Sequence, residues 1–205
     1  INAKCIYNPL NKSEILKYSK EYVELPFFKK NKNSLKIITI GRFTDQKDHL
    51  TLLKSLNEIK NKIDFKLLII GRGNNKYKII NYIVKNNLKN NIKILPFQNN
   101  PYKYLKISDL FILTSKFEGL PNVLLEAAVL KKFIISTNCP TGPREILQNG
   151  RGGFLFNVGD YKSLSQKILY YHINQKKLKI KINHNYKNII RFDSNKNLLK
   201  YYNEI

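Results

Sequence analysis

Short apolar runs recur along the chain, separated by longer stretches in which apolar residues return every three or four positions. The runs "LKIITIG" (Leu35–Gly41), "FKLLIIG" (Phe65–Gly71), "IKIL" (Ile92–Leu95), "DLFILTS" (Asp109–Ser115) and "FIIST" (Phe133–Thr137) are β-branched or leucine-rich. Their apolar residues fall on both faces of a strand, which suits a parallel sheet covered by helices on each side. The intervening spacing predicts helices over Asp48–Ile59, Asn75–Asn86, Pro101–Lys106 and Pro121–Val129. Strand and helix alternating in this way predict an α/β fold with a doubly wound, mostly parallel, Rossmann-like sheet. After Gly153 the pattern changes. "FLF" reads as a last short strand, and two or three amphipathic helices rich in Lys and Asn fill the chain from Tyr161 to its end. Residues 1–34, with Pro9 and Pro26, read as a crossover or edge segment, 35–171 as the Rossmann-like domain and 172–205 as a C-terminal helical tail.

Open α/β sheets bind ligands beyond the carboxyl ends of their strands. Three segments sit at such ends: "GRFTDQK" after the first strand, "GRGNNK" after the second and "SKFEGLPN" after the fourth. In the first, Gly41 ends the strand, Arg42 follows and Lys47 opens the next helix. A guanidinium fork and an ammonium point charge together suit a diphosphate, although a basic chain also supplies solvated surface cations. "GRGNNK" falls short of a dinucleotide fingerprint, because Lys76 stands at the third glycine position and no acid lies between Lys66 and Ser108 to hold a ribose diol. Tight turning is then the default role of Gly71 and Gly73.

The third segment holds two acids, Glu118 and Glu126, with seven residues between them. Pro121 suits the first position of a helix, where a missing N–H costs nothing. Gly119 allows close backbone approach, and the free N–H groups of the helix start suit an anion or sugar hydroxyls. Glu126 lies five residues beyond Pro121, about 7–8 Å along the helix axis. The acids are therefore not a close carboxylate pair; they suit the two ends of one elongated ligand. The plain alternative is a helix-start acid favoured by the helix dipole and a surface glutamate. Against it, Glu126 is set between "NVLL" and "AAVL".

Composition adds one unusual feature, a net charge of +23 over 205 residues. It points to an anionic partner such as phosphate, nucleic acid or an acidic membrane, or to a Lys/Asn/Ile-rich sequence bias, since runs such as "KNNLKNNIK" are dispersed. Cys5 and Cys139 form neither a disulfide framework nor a metal cluster, which fits a reducing cytosol. No run approaches the ~20 apolar residues of a membrane span, and no signal peptide is visible. The chain opens on Ile1, and the expectation is a part of a longer protein. His49 is placed near the Arg42/Lys47 loop, His172 and His184 are read as surface residues, Cys139 as a buried apolar residue, and Glu145 as an orienter of the glycine-rich turn.

The stretch "EGLPNVLLE" resembles the E-x7-E motif of retaining, nucleotide-sugar-dependent glycosyltransferases of family 4, which have the GT-B fold. "ITIGRFTDQKDHLTLLKSL", "KLLIIGRGNNKYKI", "IKILPFQNNPYKYLKISDLFILTS" and "STNCPTGPREILQNGRGGFLF" resemble successive segments of the same family, and "CIYNPLN" resembles its inter-domain crossover. The resemblance runs from about Ile6 to Tyr171 and covers the donor-binding half alone. It implies that Arg42 and Lys47 bind and stabilise the departing diphosphate. By the same resemblance Glu126 accepts from the ribose hydroxyls, and Glu118 orients the sugar and supports positive charge at its anomeric carbon. Gly119, Leu120, Pro121, Asn122 and Val123 offer backbone to sugar and phosphate, Gly41 is counted with the donor-binding residues, and Gly71 with Leu95, Pro96 and Phe97 borders the base. Without an Asp-x-Asp motif, no metal or other cofactor is expected.

The implied donor is a UDP-hexose or UDP-N-acetylhexosamine, with "CPTGPREIL" leaning toward an amino sugar. The implied acceptor is a cell-envelope or lipid-linked glycan met at the cytoplasmic face of a membrane, with an N-terminal acceptor domain outside this chain. A nucleotide-sugar epimerase of the same fold and a basic anion- or membrane-binding module are the alternatives. No nucleic-acid motif is found, so nucleic acid is not expected as a partner.

Overall fold

A computed structural model of the chain describes Tyr7, residues 10–29 and residues 33–202, with the backbone alone at 200 and 201. Of the stretch resembling the crossover, only Tyr7, Leu10 and Asn11 fall among these residues, and Cys5 lies outside them. The chain begins with short helices α1 (Lys12–Tyr18) and α2 (Pro26–Lys29). There follow β1 (Leu35–Ile40), α3 (His49–Ile59), β2 (Phe65–Ile70), α4 (Lys76–Lys85) and β3 (Ile92–Leu95). Then come α5 (Tyr102–Lys106), β4 (Leu110–Leu113), α6 (Asn122–Val129), β5 (Phe133–Thr137), α7 (Pro143–Ile146) and β6 (Phe154–Phe156). Helix α8 (Tyr161–Asn188), a 3-10 turn (Ile189–Phe192) and α9 (Ser194–Tyr202) complete the described chain.

The six strands form one sheet in the order β3-β2-β1-β4-β5-β6, every pair parallel. This is the doubly wound order expected from the pattern. Period-2 alternation divides each strand between two cores. Leu35, Ile37, Leu67, Ile69, Leu110, Ile112, Phe133 and Ile135 pack on the face covered by α3, α4 and α8. Ile38, Leu68, Ile70, Phe111, Leu113 and Ile134 pack on the other, under α1, α5 and α6. Burying both faces explains why the strands read as continuous apolar runs. Strand order reverses between β1 and β4, so the loops after these two strands flank the crevice where open α/β sheets hold ligands.

Several boundaries differ from the expectation. The expected edge segment holds two short helices, Lys12–Tyr18 and Pro26–Lys29, and buries Ile15, Leu25 and Phe28. Helix α8 runs through residue 172 without ending there: Tyr171 stacks on Phe133 at 4.6 Å, and Leu178 is buried beyond the kink at Asn174. Pro121 caps α6 instead of opening it, because its extended ψ of 102° keeps it outside the helix. His172 and His184 are half-buried, not surface residues. His184 Nε2 meets Gln148 Oε1 at 2.9 Å because α8 packs across that segment.

Candidate functional site

The loop after β1 leaves the sheet at Gly41, and hydrogen bonds tie it to the loop after β2. Phe43 N–H donates to the Arg72 carbonyl at 2.8 Å, and Asn75 N–H donates to the Phe43 carbonyl at 3.0 Å. Gly71 is required here: a Cβ on it would lie 1.9 Å from the Gly41 carbonyl oxygen. Gly73, at φ 148°, would place a Cβ 2.6 Å from the Phe43 oxygen. Both glycines therefore serve contact between two loops in addition to the turn expected of them.

On its other side the β1 loop is tied to the loop after β4. Lys116 N–H donates to the Gln46 carbonyl at 2.8 Å, and Gln46 Nε2 donates to the Phe117 carbonyl at 2.9 Å. Thr114 Oγ1 donates to the Lys47 carbonyl at 2.9 Å. These bonds bring Lys47 and Glu118 together as an ion pair, with Nζ to Oε1 at 2.5 Å and side chains 15% and 8% exposed. Arg42 lies exposed on the same loop and makes no ion pair among the described residues. A paired but reachable ammonium, a free guanidinium and a mostly buried carboxylate thus meet at the switch point of the sheet.

Glu126 is held separately. It sits on α6 among buried Leu124, Leu125, Ala127 and Ala128, and accepts from Tyr102 Oη on α5 at 3.4 Å. Burial pushes its carboxyl up from 4.5 to about 7, and the Tyr102 hydrogen bond offsets only part of that rise. The same burial and the neighbouring carboxylate push the Tyr102 phenol up to about 12. No side chain caps α6, and Asn122 is exposed at its start, with Val123 half-buried beside it. Pro121 is buried, whereas Gly119 is exposed on the loop that leads to it.

Beyond β3, Pro96 and Phe97 are exposed, and the Arg72 guanidinium lies 5.2 Å from the Phe97 ring. A cleft of about 700 Å³ opens beside Arg42, Arg72 and Asn75. The ends of β3, β2, β1 and β4 therefore present, in spatial order, Phe97, Arg72, the Arg42/Lys47 loop and Glu118.

His49 is buried, edge-on to Phe43 at 5.3 Å, and desolvation lowers its pKa to about 4. Cys139 is buried as expected. Glu145 accepts from the Tyr7 hydroxyl. Among the described residues no group of three or more His, Cys, Asp or Glu side chains is placed to hold a metal ion.

Sequence reasoning missed Tyr102, Gln46 and Thr141. Tyr102 faces Glu126 only because α5 and α6 pack on the same side of the sheet, and nothing in "PYKYLK" marks it. Gln46 lies between Asp45 and Lys47 without a motif of its own. Thr141 donates to the Glu118 carbonyl across 23 residues of sequence.

A family model described as glycosyl transferases group 1 matches residues 24–188. The chain belongs to that family. Its sheet and flanking helices are the Rossmann-like half of the GT-B architecture. Among group 1 relatives, an uncharacterised glycosyltransferase of Methanocaldococcus jannaschii is 41% identical over 145 residues, which cover 70% of this chain and 36% of that protein. The N-acetylgalactosamine-N,N'-diacetylbacillosaminyl-diphospho-undecaprenol 4-alpha-N-acetylgalactosaminyltransferase of Campylobacter jejuni is 33% identical over 132 residues, 64% of this chain and 36% of that enzyme. The crystal structure of S. aureus TarM with Fondaparinux, α-GlcNAc-glycerol and UDP superposes with a TM-score of 0.76 at 25% identity, covering 82% of this chain and 35% of TarM. The chain spans about a third (36%) of the length of these curated relatives.

Proposed function

We propose that this chain is the donor-binding part of a retaining glycosyltransferase. It holds a UDP-hexose or UDP-N-acetylhexosamine for transfer to a cell-envelope or lipid-linked glycan. The observation that carries the reading is the Lys47–Glu118 pair beside exposed Arg42 at the switch point. As the bond between sugar and diphosphate breaks, its electron pair stays on the diphosphate. Arg42 and Lys47 stabilise that charge, Lys47 as a largely buried ammonium held by its pair and Arg42 from the exposed side of the loop. Glu118 faces the opposite charge at the anomeric carbon, and Thr141 steadies its backbone. Glu126, set deeper on α6, accepts from the ribose hydroxyls. The base lies toward Phe97 and Gly71. The TarM complex contains UDP, and the Campylobacter relative is named for an N-acetylgalactosaminyl transfer, which supports a UDP-linked amino sugar here.

The two cations replace a divalent metal in this reading, so transfer by the full-length protein keeps its rate in excess EDTA; loss of activity restored by magnesium would refute it. The acceptor is bound mainly by an N-terminal domain outside this chain. Peripheral association with an anionic membrane at its cytoplasmic face is supported by α8. That helix carries seven lysines and no Asp or Glu, with Tyr170, Ile173 and Ile180 exposed between them. Apolar groups set among lysines suit the interface of an anionic bilayer. Co-sedimentation should be stronger with anionic than with neutral vesicles, and equal binding to both rejects the association.

The test of the donor site is calorimetric titration with UDP. Binding weakened tenfold or more by Arg42→Ala and by Glu126→Ala is expected. Binding indifferent to both changes would mean that surface charge alone attracts the phosphates.

A further inference from the structure

A further cleft adjoins the donor site without holding any part of the donor. About 670 Å³ in volume, it is lined by the loop after β5 and by α7, with Arg191 from the 3-10 turn closing one side. It faces solvent next to the sugar end of the site. Thr141 Oγ1 donates to the Glu118 carbonyl, and a Cβ on Gly142 would lie 2.0 Å from the Gly119 oxygen, so cleft and donor loop share a wall. Strand order continues the series: β3, β2, β1 and β4 present the segments read as base, diphosphate and sugar sites, and β5 comes next.

The lining is built for negative charge. Arg144 and Arg191 bring two guanidiniums to it, with the amides of Asn138, Gln148 and Asn149 beside them. The single acid in the lining, Glu145, already accepts from the Tyr7 hydroxyl, and its backbone carbonyl accepts from Arg191. Gln148 Nε2 and Arg191 Nε are buried without an acceptor among the described residues. Donors left unsatisfied in this way are uncommon, and both are closed to solvent, so an occupant of the cleft meets them only if the side chains turn. The backbone is strained at the same place: Thr141, Gln148 and Asn149 adopt φ of 60°, 49° and 54°. For a β-branched residue such as Thr141 this is a true outlier, and such strain collects at ligand sites.

We propose that this cleft binds an oxyanion, a phosphate or a carboxylate, carried by the acceptor. That the oxyanion belongs to the acceptor rests on the donor reading; the anion site itself does not. The exposed Arg144 guanidinium can take such a group by paired hydrogen bonds, with Arg191 adding positive charge beside it, and so fix the acceptor beside the sugar.

The test is an amide NMR titration of the chain with inorganic phosphate at constant ionic strength, run with and without saturating UDP. Saturable shifts are expected at Thr141, Gly142, Gln148 and Asn149, unaffected by UDP. Arg144→Gln should weaken them tenfold or more, while Lys85→Gln on α4, over the far edge of the sheet, leaves them unchanged. Arg191 also holds the Glu145 carbonyl, so its removal can disturb the fold; exposed Arg144 carries the decision. Glucuronate in a parallel titration separates a carboxylate-bearing from a phosphate-bearing acceptor. The proposal is overturned if neither probe saturates, if binding ignores Arg144→Gln, or if UDP displaces the phosphate. A chain that fails to bind UDP sinks the donor reading alone, and the phosphate result still decides the cleft.

Discussion

Glu126→Gln should make the protein more stable while weakening its ligand binding. The folded carboxyl titrates at about 7 against an ordinary 4.5, because burial disfavours its charged form. Below pH 4.5 the group is neutral in folded and unfolded chains and carries no penalty. Between pH 4.5 and about 7 the unfolded chain releases the proton and the folded one keeps it, so stability falls as pH rises. Above about 7 the penalty is complete. At 1.36 kcal/mol per pH unit it amounts to about 3 kcal/mol. Glutamine keeps an oxygen to accept from Tyr102 but carries no charge to desolvate.

The expected gain at pH 8 is then about 6–12 °C in midpoint, taking about 2–4 °C per kcal/mol for a chain of this size, with no gain at pH 4. Thermal unfolding at the two pH values, with urea titrations beside it, makes the measurement. A pH 8 midpoint that is unchanged or lowered refutes the argument that burial penalises this charge. The same variant should lose tenfold or more in UDP affinity, because an amide nitrogen cannot accept from a ribose hydroxyl. Stabilisation with unchanged UDP affinity removes Glu126 from the donor site.

Lys47→Met leaves the Glu118 carboxylate buried without its partner, a loss of about 3–5 kcal/mol for a broken buried pair. Adding Glu118→Gln should recover most of it in urea unfolding, and a double variant no more stable than Lys47→Met refutes the pairing. Gly71→Ala forces a Cβ to 1.9 Å from the Gly41 oxygen, so the urea midpoint falls; an unchanged midpoint shows that the loops separate freely. UDP should bind more tightly at pH 8 than at pH 6, with net proton release in buffers of different protonation enthalpy. Proton uptake contradicts a carboxylate that must ionise to accept the ribose.

The sheet was legible because both faces of each strand are buried, which leaves unbroken apolar runs such as "FKLLII" and "LFIL". Parallel order followed from the helices between them. The loops were legible as a set because Gly41 and Gly71 directly follow strands and Glu118 lies on the loop after β4. What escaped was whatever depends on contact between elements distant in sequence. Tyr102 meets Glu126 across 24 residues, Thr141 meets Glu118 across 23, and Arg191 joins the α7 cleft from the far end of α8. The half-buried histidines belong with these, since "YYHINQKK" and "KINHNYKN" carry no mark of the surface that α8 lies against. A lysine-rich helix looks solvated in sequence whichever side of it packs.

The Lys47–Glu118 pair joins the two readings of the site. The resemblance assigns the lysine to diphosphate and the acid to sugar, yet here each is the other's partner at 2.5 Å. Neither charge is then left alone in a crevice that shields both from water, where an unpaired charge costs most. A donor that brings two negative phosphates to Lys47 and hydroxyl donors to Glu118 offers each a replacement at once. A free diphosphate offers a replacement for the lysine only and leaves the carboxylate with fewer donors. The pair should therefore favour the intact nucleotide sugar over the nucleoside diphosphate by more than the sugar's own contacts supply. Glu118→Gln removes that bias. In the variant, UDP should gain affinity relative to UDP-sugar, and an unchanged ratio means that Lys47 and Glu118 act independently.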